Sequence, residues 1–133
     1  MKNVLKNIGI IIGGIIIGGI FNMGLIMLGG IIFTPNESFE PMNATNWDLK
    51  YFIFPFLAHS IGTLSGSYLV SRLSRNAHII FPLIIGSYFL FGGIYMVRVL
   101  PAPTWFVILD LIICYIPMSL LGWRISGKRE NIL

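Results

Sequence analysis

The amino-acid sequence predicts an all-α membrane protein: a transmembrane four-helix bundle forming one integral domain, residues 1–133, with both termini cytoplasmic. Three observations predict it. Of 133 residues, 56% are hydrophobic and only 11% charged, with a mean hydropathy of +0.85, whereas soluble domains carry about a quarter charged residues. The apolar residues fall into four stretches, each long enough for the roughly 20 residues that cross a hydrocarbon core of ~30 Å. The basic residues cluster at the ends of those stretches, mostly on one side.

These features exclude a soluble domain and a disordered chain. They also dispose of a nucleic-acid partner, although the formal charge is +4 and the pI about 9.5. No basic patch interleaved with aromatics exists, and lysines and arginines at the ends of apolar runs serve as topology signals and headgroup anchors.

The first span covers about 8–33, uncharged from Ile8 to Phe33. Lys2 and Lys6 before an apolar run resemble the start of a signal peptide. Secretory cores, however, hold only about 7–15 apolar residues and end at a small-residue cleavage site. This run is longer and finishes in Gly-Gly-Ile-Ile-Phe-Thr-Pro, so a retained span is expected. The second span covers about 52–71, the third 77–97 and the fourth 104–123. Pro55 and Pro82 sit near helix starts, where a missing amide donor costs least. Pro117 lies deep in the fourth span and predicts a kink with a freed carbonyl near Ile113.

Orientation follows from the lysine and arginine bias of short connections. Lys2, Lys6, Arg72, Arg75, Arg124, Lys128 and Arg129 fall on one side, against Lys50 and Arg98 on the other. The termini and the second connection are therefore expected in the cytoplasm, and residues 34–51 form the external loop. Trp47, Tyr51 and Phe52 suit a membrane interface. Asn36-Glu37-Ser38 and Asn43-Ala44-Thr45 fit the glycosylation pattern, which matters only in a eukaryotic secretory pathway. The basic tail, with Lys128 and Arg129, reads as a headgroup anchor.

Helices in lipid associate where small residues let backbones approach. Gly9/Gly13, Gly14/Gly18 and Gly62/Gly66 are each four apart, hence on one face. Gly13, Gly14 and Gly18 of the first span and Gly62 and Gly66 of the second are expected to bring these two helices into close contact.

Polar groups within the spans are few, and ionisable ones there are costly enough to suggest function. His59 and Asp110 lie seven and six residues from the external ends of their helices, about 10 and 9 Å deep, and Asn22 about 16 Å deep, at 1.5 Å per residue. Arg98 closes the third span just above them. Asn22, His59, Arg98 and Asp110 thus form a candidate outer-half site for a small solute, an ion or a proton. Histidine suits proton exchange beside a carboxylate. The competing reading is an interhelical clasp, where polar contacts contribute ~0.6 kcal/mol on average.

Other chemistry finds little support. A single cysteine, Cys114, forms neither an internal disulfide nor a CxxC pair and reads as a buried structural thiol. With one cysteine and two histidines, His78 being near the cytoplasmic interface, no zinc-type spacing exists. Ser60 and Ser119 offer hydroxyls without a triad that spacing alone establishes. No cofactor motif is present, and no catalytic residue or metal site is assigned.

The Gly-Gly-Ile-Phe-Asn-Met run from Gly18, the Pro-Phe-Leu-Ala-His-Ser-Ile-Gly-Thr-Leu-Ser-Gly run from Pro55 and the Pro-Ala-Pro-Thr-Trp-Phe…Asp-Leu run from Pro101 resemble small four-span bacterial membrane proteins of uncharacterised function. The resemblance extends over nearly the whole chain and implies an inner-membrane location, without an activity or ligand. Small multidrug exporters differ, since they carry a glutamate in the first helix and this span has none. The glycine-rich segment plus arginine of fluoride channels is not evident.

The expected function is therefore binding or transport through the outer-half site, in a homodimer. The alternative is an accessory subunit recruiting a larger membrane partner through its glycine faces. An intramembrane enzyme using His59 and Asp110 as acid and base ranks third. The lipid bilayer is the one partner that composition itself implies.

Overall fold

A computed structural model describes residues 1–35, 39–74 and 79–127. The order is α1 (Lys2–Ile32), two 3-10 turns (Ala44–Asn46 and Leu49–Phe52), α2 (Ile53–Leu73), α3 (Ile80–Val99), α4 (Thr104–Ile113) and α5 (Ile116–Ile125). All regular elements among the described residues are helical. Taking α4 and α5 as one broken rod, four rods are long and apolar enough to cross a membrane.

α1 starts at Lys2, six residues before the uncharged run, because Lys2, Asn3 and Lys6 do not oppose helix. Its 31 residues reach about 46 Å at 1.5 Å each. Asn43 opens the first 3-10 turn by accepting the Thr45 amide (3.1 Å) and hydroxyl (2.6 Å), so this glycosylation-type triplet already has a local structural task. The other triplet, together with Glu37, Arg75, His78, Lys128 and Arg129, lies outside the described residues.

The fourth rod is interrupted at Cys114–Tyr115, where Tyr115 takes φ −114° and ψ −81°. α5 restarts with Pro117 in its first turn, where an absent amide costs nothing. Pro117 therefore produces a break rather than a gentle kink.

α2 is the central post. It runs antiparallel to α1, with Gly14 opposite Gly66, Gly18 opposite Gly62 and Gly29 opposite Phe54. A Cβ added at Gly18 would lie 2.6 Å from the Gly62 carbonyl oxygen, and one at Gly66 would lie 2.5 Å from that of Gly14. Backbone meets backbone here, which only glycine permits. Gly13 does not join this seam: a Cβ there would meet nothing within 4 Å. At about 100° per residue, Gly13 points about 100° away from Gly14, which is on the buried face.

On its other side α2 runs parallel to α5. Ser60 meets Cys114 (3.0 Å), Gly122 abuts the Leu64 carbonyl and Ser67, and Arg72 Nη1 donates to the Ser126 carbonyl (3.1 Å). α3 closes the group through Gly86 on Ser119 and Gly93 on Tyr115. The apolar core is small: Ile10, Val70 and Ile85, with a second cluster of Ala44, Phe52 and Phe106 under the loop. Outward faces are apolar instead; Ile12, Ile16 and Ile20 are all more than half exposed. That distribution suits a lipid surround.

Candidate functional site

The first half of α2, the second half of α3, α4 and the last turns of α1 surround a cavity of about 330 Å³. Such a volume lies at the small end of ligand-binding cavities. α1 and α3 touch farther along, through Gly14 with Ile85 and Gly18 with Phe89. Beyond that contact the cavity lies between them, flanked by Ile26 of α1 and Met96 of α3.

Over the cavity sits an aromatic group from the loop. Phe39 stacks on Trp47 at 4.5 Å, Tyr51 approaches Phe39 at 5.2 Å, and Phe52 packs on Phe106 at 4.7 Å. Its position is fixed from both ends. Trp47 Nε1 donates to the Glu40 carbonyl (2.9 Å), and the Ala44 amide donates to the Pro101 carbonyl (2.8 Å), tying the loop to the α3–α4 connection.

Two polar residues, His59 and Asp110, form the deepest part of this otherwise apolar and aromatic lining. His59 Nδ1 and Asp110 Oδ1 are 2.7 Å apart. The Tyr115 hydroxyl donates to Asp110 Oδ2 at 2.9 Å, and the His59 and Tyr115 rings stack with centroids 5.8 Å apart and planes inclined by 30°. Asp110 is 4% exposed, so the carboxylate is held by its two neighbours. An ionised Asp110 fixes the tautomer in which Nδ1 carries the proton. Nε2 is then the histidine nitrogen left for a molecule in the cavity. It accepts a hydrogen bond when His59 is neutral and donates one when His59 is protonated.

The other expected members are placed differently. Arg98 is exposed on the last turn of α3, while its neighbours Met96, Val97 and Leu100 line the cavity. A guanidinium at a helix end reaches for the headgroup layer, so it leaves the site. Asn22 lies one turn deeper than Ile26, the first cavity residue of α1, and its Cβ packs against Gly62. It belongs to the glycine seam. The cluster therefore contains His59 and Asp110 without Asn22 or Arg98.

Tyr115 was not among the expected residues. It follows Asp110 by five positions, which in an unbroken helix puts them about 140° apart. The break before Pro117 turns Tyr115 back toward the carboxylate. Pro117 signals the break, but not the direction of the turn.

Neighbouring nucleophiles are engaged elsewhere. Ser60 donates to Cys114 Sγ, and Ser119 donates to the Ile116 carbonyl at 2.8 Å. Cys114 is fully buried, with Sγ 3.6 Å from the Phe56 carbonyl. Among the described residues, no three His, Cys, Asp or Glu side chains come together as metal ligands.

No family model, curated protein or solved structure matches the chain.

Proposed function

We propose that this is a multi-pass inner-membrane protein that binds, and passes between lipid and its outer surface, a small neutral lipophile carrying one carbonyl or hydroxyl group. One observation carries the reading: an apolar, aromatic-capped cavity of about 330 Å³ has a single polar end, formed by His59 and Asp110. Apolar walls favour an apolar body, and a few fixed polar groups orient its head. Nε2 of His59 is the group that meets the head, while Asp110 and Tyr115 hold the ring. A free ion or sugar would lose its water here without replacement contacts. An anionic head would approach the Asp110 carboxylate, while Lys50 lies over the Tyr51 ring and Arg98 faces outward.

Orientation belongs to the same proposal. Lys2, Lys6, Arg72 and Arg124 lie at one end of the rods, which supports cytoplasmic termini and a cavity in the outer half. A lipophile would reach the cavity from the bilayer, between α1 and α3.

The test uses the full chain in nanodiscs, with decyl-substituted benzoquinone as a carbonyl-bearing probe and tryptophan fluorescence as the readout. Saturable quenching is expected, weakened at least tenfold by His59→Ala and by Val97→Phe, which narrows the cavity. Quenching that never saturates, or that both variants share with the parent, overturns the proposal.

A second reading, a subunit that packs against another membrane chain, has one observation in its favour. On the outward side of α1, Cβ atoms at Gly9, Gly13 and Gly24 would meet nothing within 4 Å, leaving a helix face able to approach a second copy or a larger partner.

A further inference from the structure

Inward from the cavity, the side of α2 that meets α5 carries Ser60, Thr63, Ser67, Ser71 and Ser74. Spacings of three and four residues keep them on one stripe, and all five are buried. Ser119 and Ser126 of the facing segment are buried as well. Close packing alone would be served by alanine or glycine, as it is on the α1 side of the same helix. Hydroxyls in this position must find hydrogen-bond partners, since hydrocarbon supplies none.

Most do so within the protein. Ser71 donates to the Ser67 carbonyl (2.7 Å), Ser74 to the Ser71 carbonyl (3.3 Å) and Ser126 to the Trp123 carbonyl (2.6 Å). Thr63 Oγ1 and Ser67 Oγ are different: both are fully buried, and neither has a hydrogen-bond partner. They lie four and eight residues inward of His59, about 6 and 12 Å along the helix. Thr63 lies between the levels of the Ser60–Cys114 and Ser67–Gly122 contacts of α2 with α5, and Ser67 lies at the second of them. Two adjacent unsatisfied hydroxyls directly beneath a His–Asp–Tyr cluster call for a polar partner between the helices, and buried water commonly fills that role.

We propose that Thr63 and Ser67, with water held between α2 and α5, form a proton path from the His59–Asp110–Tyr115 cluster toward the end of the protein that carries its termini. Each hydroxyl or water oxygen accepts one proton from the side of the cluster and releases its own to the next oxygen. Every group ends unchanged, and one positive charge has moved. The driving force is the membrane potential or the pH difference, and no redox partner is required. Ser71 and Ser74 continue the stripe to the level where Arg72 meets Ser126. The path starts at the polar end of the cavity, but Thr63 and Ser67 themselves do not line it, so their variants test the path separately from ligand binding.

The experiment reconstitutes the full chain in liposomes containing a trapped pH dye and imposes a potassium diffusion potential with valinomycin. Proton entry above that of empty vesicles is expected. Thr63→Val combined with Ser67→Ala should reduce it at least tenfold, and Thr63→Ser should retain it. Thr63→Val alone, close in shape to the parent, serves if the double variant does not fold. Quinone quenching of tryptophan in the same variants reads the cavity separately, and it should stay saturable. Parent vesicles no leakier than empty ones overturn the path, as does unchanged flux in Thr63→Val. A higher melting temperature for Thr63→Val with flux intact would identify a dry, unsatisfied hydroxyl and would also overturn it.

Discussion

Asp110 is the residue on which the site depends, because two donors from different places converge on its oxygens. Replacing it with asparagine keeps the shape but leaves one oxygen and introduces an NH2 group that must face a donor. Loss of a hydrogen bond to a charged group costs about 1.5–3 kcal/mol, and the stranded partner adds to that. We expect Asp110→Asn to lower the stability in detergent by about 2 kcal/mol. Tyr115→Phe, which removes a single donor to the same carboxylate, should cost about 1.5–3 kcal/mol. Denaturant unfolding of both, combined in a double-mutant cycle, should show coupling well above zero. Additive losses would mean that the tyrosine hydroxyl contributes nothing through the carboxylate. His59 and Asp110 were legible in the sequence because ionisable groups within apolar runs stand out and their depths match. Arg98 was expected just above them, yet position along a helix does not say which way a side chain leaves it.

At the level of the helices, the glycines of α1 sort into two kinds that spacing alone does not separate. Gly14 and Gly18 touch the α2 backbone, whereas Gly9 and Gly13 have open surroundings, although both pairs are four apart. Gly18→Ala forces its methyl group against the Gly62 carbonyl, which cannot yield as a side chain would, and overpacking of this kind costs about 1–3 kcal/mol. Gly13→Ala meets no obstacle and restricts the unfolded chain, so a gain of about 0.4–1 kcal/mol is expected. Thermal melts of the two variants in one detergent check the contrast, and equal losses would refute this assignment of faces. Helix existence and approximate limits were legible from hydropathy, because four apolar runs admit little else in lipid. The break at Cys114–Tyr115 was legible only as a proline warning. Its geometry depends on the contact between Tyr115 and Asp110, which no local pattern encodes.

For the whole molecule, the charge bias makes a topological prediction that Cys114 helps to test. Its thiol is completely buried and gives little background in labelling. A cysteine replacing Met42, which is 69% exposed in the loop, should react with a membrane-impermeant maleimide in intact cells. One replacing Lys2 should react only after permeabilisation. The reverse pattern would place the cavity toward the cytoplasm and invert the direction of the proposed path. The cavity itself was not legible in the sequence. It exists because α1 and α3 part beyond Gly18 and Phe89 while a folded-back loop covers the gap, and both features belong to tertiary packing.

Chain order has a consequence for how the buried carboxylate reaches its place. Ribosomes deliver the second rod before the fourth, so the imidazole is already lodged in lipid when the aspartate emerges. A lone aspartate costs about 2.5–3.5 kcal/mol to insert at the centre of a segment and less nearer its end, and the phenol that shares this one follows only five residues later. The last segment to be synthesised is thus the one that most needs company, and its company is waiting.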